Sequence, residues 1–274
     1  MNGILAQLVS LTSYGNAFLQ GNDNIDDFYP GNTTFNLCNG VGFVNFKKSV
    51  FSSTPKEVKV ADNPLEWLRL LKKDGCKKMR LFYESSKNAP AGTPDHKLAG
   101  MVGGGGTWMI ETIHGRYSHY WFNRWQVTKK DDPDNKIWTV SYGMIDKDQP
   151  VTDKQLDIKD IASQLEQRLK AIADFAEAQR LSDWVAVFNK ARTMLDSATP
   201  IQDYHRQDLL VEKHYSLEAR HVLAAAGAAW VFGGMGSWND LGFDTDEANS
   251  SYYEVSAQLY DAINQAVLAV ANSY

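Results

Sequence analysis

Cysteine is scarce in this chain. Only Cys38 and Cys76 occur among 274 residues, too few for a disulfide-stapled scaffold and without the Cys-x-x-Cys spacing of zinc or redox sites. Reduced thiols in a cytoplasmic protein are the simplest reading. Long apolar runs are missing too, since the longest, Val222 to Phe232, is about half of the roughly 18 residues a membrane span needs. Positive charge is sparse: 28 Lys and Arg stand against 33 Asp and Glu, a formal net charge of -5. The densest basic group, Lys72, Lys73, Lys77, Lys78 and Arg80, sits among acidic and apolar residues and reads as a solvated face, not as a stripe against phosphates. Neither nucleic acid nor membrane is expected as a partner. Met1-Asn2-Gly3 carries no basic region, and Gln7, Ser10, Ser13, Gly15 and Asn16 interrupt the following apolar positions, unlike a signal peptide. No Gly-x-Ser-x-Gly elbow, Walker sequence or His-Glu-x-x-His occurs, so no cofactor is expected.

What is present is ordinary globular material: 43% hydrophobic, 22% charged and 12% aromatic residues, enough to bury a large core without staples. Ile4, Leu5, Leu8, Val9, Leu11 and Phe18 recur at helical spacing, predicting an amphipathic helix that covers the core and ends near Gly21. A polar loop follows to Thr34, and Asn39-Gly40 between apolar flanks has the form of a two-residue type I′ hairpin turn. A short strand at Glu57 to Val60 precedes a helix with Asn63 or Asp62 as cap, Pro64 in the first turn and Gly75 at its end. Cys76 to Glu84 alternates as a strand, and Ser85 to Ala99 reads as a mobile loop. Thr107 to Ile113, Tyr117 to Thr128 and Lys136 to Ile145 are rich in aromatic and β-branched residues with short polar connections, predicting an antiparallel meander.

After Pro150 the texture becomes helical. Helices are predicted over 157–181, from Ser182 to a break at Thr199-Pro200, from Ser216 to Phe232 and over 246–271. The third is apolar nearly all round and reads as the buried central helix, with Gly233 as its left-handed terminator. The expected fold is therefore α+β: an antiparallel or mixed sheet with a few helices over 1–150, then a helical bundle over 151–274 packed on or beside it. The halves are either two units or one.

Several groups could carry chemistry. Gly103, Gly104, Gly105 and Gly106 could cradle an anion, although they lead into a strand, where a flexible loop is the simpler reading. Gly233-Gly234-Met235-Gly236, followed by Ser237, Trp238, Asn239 and Asp240, could line a ligand pocket with a few polar groups in apolar walls. Glu111, His119 and Arg124 lie on adjacent strands as candidate acid, base and oxyanion partner. Strand parity allows at most one of His119 and Arg124 to share a face with Glu111. Tyr117, His119, Trp121, Asn123 and Trp125 share one face, a stripe read as core before stacking platform. His205, His214, Glu218 and His221 suggest metal ligands, but no second Glu-x-x-His occurs and no metal is expected.

The expected function is a soluble cytoplasmic binding or regulatory protein that recognises a protein partner or a small ligand, in a setting such as bacterial defence or immunity. The alternative is a hydrolase or transferase acting on a small nucleotide-like molecule.

Overall fold

A computed structural model describes residues 1–21, 25–47, 56–86, 93–101, 104–150, 156–197 and 208–274. Six strands make one sheet: β1 (Cys38–Lys47), β2 (Lys56–Ala61), β3 (Lys78–Glu84), β4 (Thr107–Ile113), β5 (Tyr117–Val127) and β6 (Trp138–Pro150). Their spatial order is β2-β1-β6-β5-β4-β3. The expected meander is β4-β5-β6, and the sheet is mixed because β1 joins β6 in parallel while the other neighbours are antiparallel. Before, between and after the strands lie α1 (Gly3–Leu19), α2 (Phe28–Gly31), α3 (Pro64–Lys73), α4 (Asp95–Leu98), α5 (Ile158–Ala178), α6 (Ser182–Thr193), α7 (Leu217–Ala228) and α8 (Asp246–Asn272). The fold is α+β, with the sheet in the first half and four helices in the second. The break at Thr199-Pro200 lies outside the described residues.

Local chemistry sets the helix ends. Asn63 accepts from Glu66 N, Pro64 opens α3, and Gly75 follows with φ +81°, as the sequence predicts. Asp157, Ser216 and Thr245 cap α5, α7 and α8 through their side chains.

The inner face of the sheet presents Val41, Phe43, Met79, Leu81, Ile110, Trp121, Val140 and Tyr142, all buried. Phe43 stacks between Trp67 of α3 and Tyr142, with ring centroids 4.1 and 5.2 Å away. Burying Phe43 alone is worth about 2–3 kcal/mol. One continuous cluster of buried apolar residues runs from this face through α5, α7 and α8.

Three local expectations are corrected. The first helix is not a cover: α1 is buried from Leu5 to Ser13, polar positions included, because its polar groups find partners inside. Gln7 donates to Thr34 O at 3.1 Å and accepts from Tyr142 Oη at 2.8 Å, while Ser13 Oγ accepts from Val211 N at 2.9 Å. Asn39-Gly40 forms no hairpin; it lies inside β1, where Asn39 bonds Thr128, Lys136 and Thr139 across an irregularity in the β1–β6 register. Finally, α7 ends at Ala228, and Gly236, not Gly233, takes the left-handed conformation, at φ +82°.

The stripe on β5 divides. Trp121 and Asn123 are core, whereas Tyr117 is 40% exposed.

Candidate functional site

The two glycine-bearing loops meet at α4, within the stretch read from sequence as a mobile loop. Gly103 lies outside the described residues. Gly105, at φ +82°, turns the chain so closely that a Cβ would stand 2.6 Å from Tyr260 Oη; its carbonyl accepts from Tyr260 Oη at 2.5 Å and Tyr83 Oη at 3.3 Å. Gly106 N donates to Ser86 Oγ at 3.2 Å. Gly104 packs against Leu98, and Gly100 against Gly233 O.

On the other side, Asn239 Nδ2 donates to His96 O at 2.8 Å, and Lys97 Nζ donates to Asn239 O at 2.8 Å and Tyr252 Oη at 3.0 Å. Trp238 is buried and donates to Ser256 Oγ at 2.7 Å. Ser237 Oγ accepts from Asn239 N at 3.3 Å, and the Asp240 carboxylate accepts from Gly236 N. The structure thus brings Gly104, Gly105, Gly106, Ser237, Trp238, Asn239 and Asp240 around one helical turn, with polar groups bonded to His96, Ser86, Tyr260 and Ser256 as well as within the loop, while Asn239 Oδ1 is buried without a partner among the described residues. Burial pushes the His96 imidazole down to about 4, with Lys97 adding to the shift and Asp95 opposing it.

The strand residues do not assemble. Glu111 pairs with Tyr120 in the β4–β5 register, while His119 pairs with Thr112, so Glu111 and His119 point to opposite faces. His119 sits with the rings of His114 and Tyr117, 4.7 and 5.4 Å away. Arg124 shares the face of Glu111 and Tyr120 but stands four residues, about 13 Å, beyond Tyr120 along β5. There it grips Glu57 in a bidentate pair at 2.8 and 3.0 Å, and its hydrogen bonds hold the Glu57 carboxyl below its usual range. Glu218 is half-buried and His221 buried on α7, His205 lies outside the described residues, and among the described residues no three His, Cys, Asp or Glu groups could hold a metal ion.

A cleft of about 500 Å³ runs between the outer edge of β3 and the C-terminal turns of α8. Arg80 is one wall: Nε and Nη2 reach Glu111 Oε2 at 3.0 and 2.9 Å, and Tyr120 Oη donates to Glu111 Oε1 at 3.4 Å. With side chains 12% and 3% exposed, this is a buried ion pair, which corrects the reading of Arg80 as part of a solvated basic face. Lys78 stands at the same wall, its Nζ 3.4 Å from Tyr274 O. Phe82, Leu156 and Leu268 supply apolar surface, and Gln265 and Asn272 complete the α8 side. Gln265, Leu268, Ala269 and Asn272 are spaced i, i+3, i+4, i+7, a signal for one helix stripe. The sequence reading missed this cleft because nothing local pairs that stripe with β3.

Compared with family models, curated proteins and solved structures, the chain matches none. The chemistry of the cleft therefore carries the functional reading. Two cationic side chains and one side-chain carboxylate face an apolar wall, and cationic groups of this kind can hold an anionic group through charge-assisted hydrogen bonds.

Proposed function

We propose that this is a binding protein that takes a small anionic molecule with an apolar body into the cleft between β3 and α8. The observation that carries the reading is the juxtaposition of Lys78 and Arg80 with Phe82, Leu156 and Leu268 around about 500 Å³, within the size range of small-molecule sites. Glu111 offsets one of the two positive charges and holds the Arg80 guanidinium in place, and Lys78, whose Nζ lies 3.4 Å from Tyr274 O, supplies the second cationic head. The scattering of Glu111, His119, Arg124 and Asp240 over separate places favours binding over hydrolysis or group transfer. Two buried, unpaired cysteines support a reducing, cytoplasmic setting. The net charge of -5 supports a small-molecule or protein partner over nucleic acid. Among the described residues no helix is long and apolar enough to cross a membrane.

The test is a fluorescence titration with 8-anilinonaphthalene-1-sulfonate, an anionic aromatic probe of suitable size. Saturable binding at one site is expected. Affinity should fall roughly tenfold with Lys78→Glu, the loss of about one charged contact, and further with Gln265→Trp, which fills the cleft mouth. Circular dichroism should be unchanged in both. Probe binding that is absent, or indifferent to both substitutions, would remove the reading.

A further inference from the structure

The two edges of the sheet are treated differently. At β3, Asn16 donates to Met79 O and accepts from Met79 N at 2.9 and 2.8 Å; Asn272 does the same for Leu81 at 3.0 and 2.7 Å. That edge is closed. At the other edge, β2 pairs with β1 on one side, and among the described residues no strand pairs with its other side. A bare edge is a template for another strand, and proteins usually protect it with charge.

The β2 sequence is Lys56-Glu57-Val58-Lys59-Val60-Ala61, with Lys56, Glu57 and Lys59 exposed. Its charges protect it against most partners but not against itself. Laid antiparallel on a second β2 about a twofold axis through Val58, Val58 meets Val58, and each Glu57 stands opposite Lys59 of the other copy. Opposite charges in that position stabilise a strand pair, and like charges destabilise it. Moving the axis one residue either way sets Glu57 against Glu57 or Lys59 against Lys59, so charge selects one register. The flanking groups extend the match: Arg124 already grips Glu57 and Asp62 pairs with Lys59. Closing the edges lines up Arg124, Glu57, Lys59 and Asp62 in alternating sign across the junction, twice.

We propose that β2 pairs with β2 of a second copy of this chain, antiparallel and centred on Val58, so that two sheets become one. A six-residue edge is short beside a standard interface, so the dimer is reversible and weakens as salt screens the charge row.

Sedimentation equilibrium of the full chain tests this. The unsubstituted protein should show a concentration-dependent dimer. Lys59→Glu and Glu57→Lys should each be monomeric alone, because each sets like charges opposite one another. A one-to-one mixture of the two should regain the dimer, since both cross-strand pairs between positions 57 and 59 then oppose in sign; that recovery also demonstrates that both variants fold. Should Glu57→Lys fail to fold, Lys59→Glu beside Lys59→Arg decides, with the dimer lost in the first and kept in the second. A monomer at every concentration, or a dimer that survives Lys59→Glu, overturns the proposal.

Discussion

Asn16 and Asn272 each meet one residue of β3 as a neighbouring strand would, offering one donor and one acceptor to a backbone N–H and C=O. Asn16 is fully buried, so no water can replace it there. Asn16→Ala leaves two backbone groups unsatisfied at about 1–3 kcal/mol each and is expected to destabilise by about 2–4 kcal/mol in urea unfolding. Asn272 is only half-buried, and Asn272→Ala should cost less because water reaches the freed groups. An Asn16→Ala cost below that of Asn272→Ala would contradict this account. In sequence, Asn16 is a polar interruption of an apolar stripe, which reads as exposure. Its partner lies 63 residues away, beyond any local pattern.

At the scale of elements, α4 is a single turn held by contacts from elsewhere. Lys97 reaches Asn239 O and Tyr252 Oη, and its ammonium lies over the rings of Tyr252 and Tyr253 at 4.6 and 5.1 Å. Lys97→Met keeps the aliphatic stem and removes these bonds. A hydrogen bond to a charged group is worth about 1.5–3 kcal/mol, so amide exchange over residues 95–101 should quicken roughly ten- to a hundredfold, while α5 and α8 keep their protection. Exchange unchanged at α4 would show that the turn is held without Lys97. The neighbouring elements were read from sequence with differing success. Asn63, Pro64 and Gly75 marked α3 because caps and breakers act within a few residues. Asn39-Gly40 misled because the same dipeptide serves a strand irregularity when a distant strand, β6, supplies hydrogen bonds.

For the molecule as a whole, the junction at α4 sets a pH dependence. His96 is buried beside Phe232, its Nε2 has no hydrogen-bond partner among the described residues, and burial pushes its imidazole down to about 4. In the unfolded chain it titrates near 6.5. Between those values the unfolded state binds more protons, so the contribution of neutral His96 is complete above about pH 6.5 and is lost as pH falls toward about 4. About 2 kcal/mol should disappear between about pH 7.5 and about pH 5. Asp261, raised by burial and by Asp95, works in the opposite direction. Urea unfolding at both pH values should therefore show a smaller drop in His96→Gln than in the unsubstituted protein. Equal drops would show that His96 does not govern the acid limb.

The sequence by itself determined the cap and end of α3, the start of α7 at Ser216, the antiparallel β4-β5-β6 meander and the division into a sheet half and a helical half. Each of these depends on periodicity or on side chains within a few positions of the backbone they serve. Only the tertiary structure decided that β1 joins β6 in parallel, that α1 is core, and that one edge of the sheet is sealed while the other has no strand partner among the described residues. It also decided that β3 and α8 enclose a cleft, joined by bonds 191 residues apart in the chain. Those outcomes rest on which remote groups satisfy a buried amide or carboxylate, a condition met in space and carried by no local spacing.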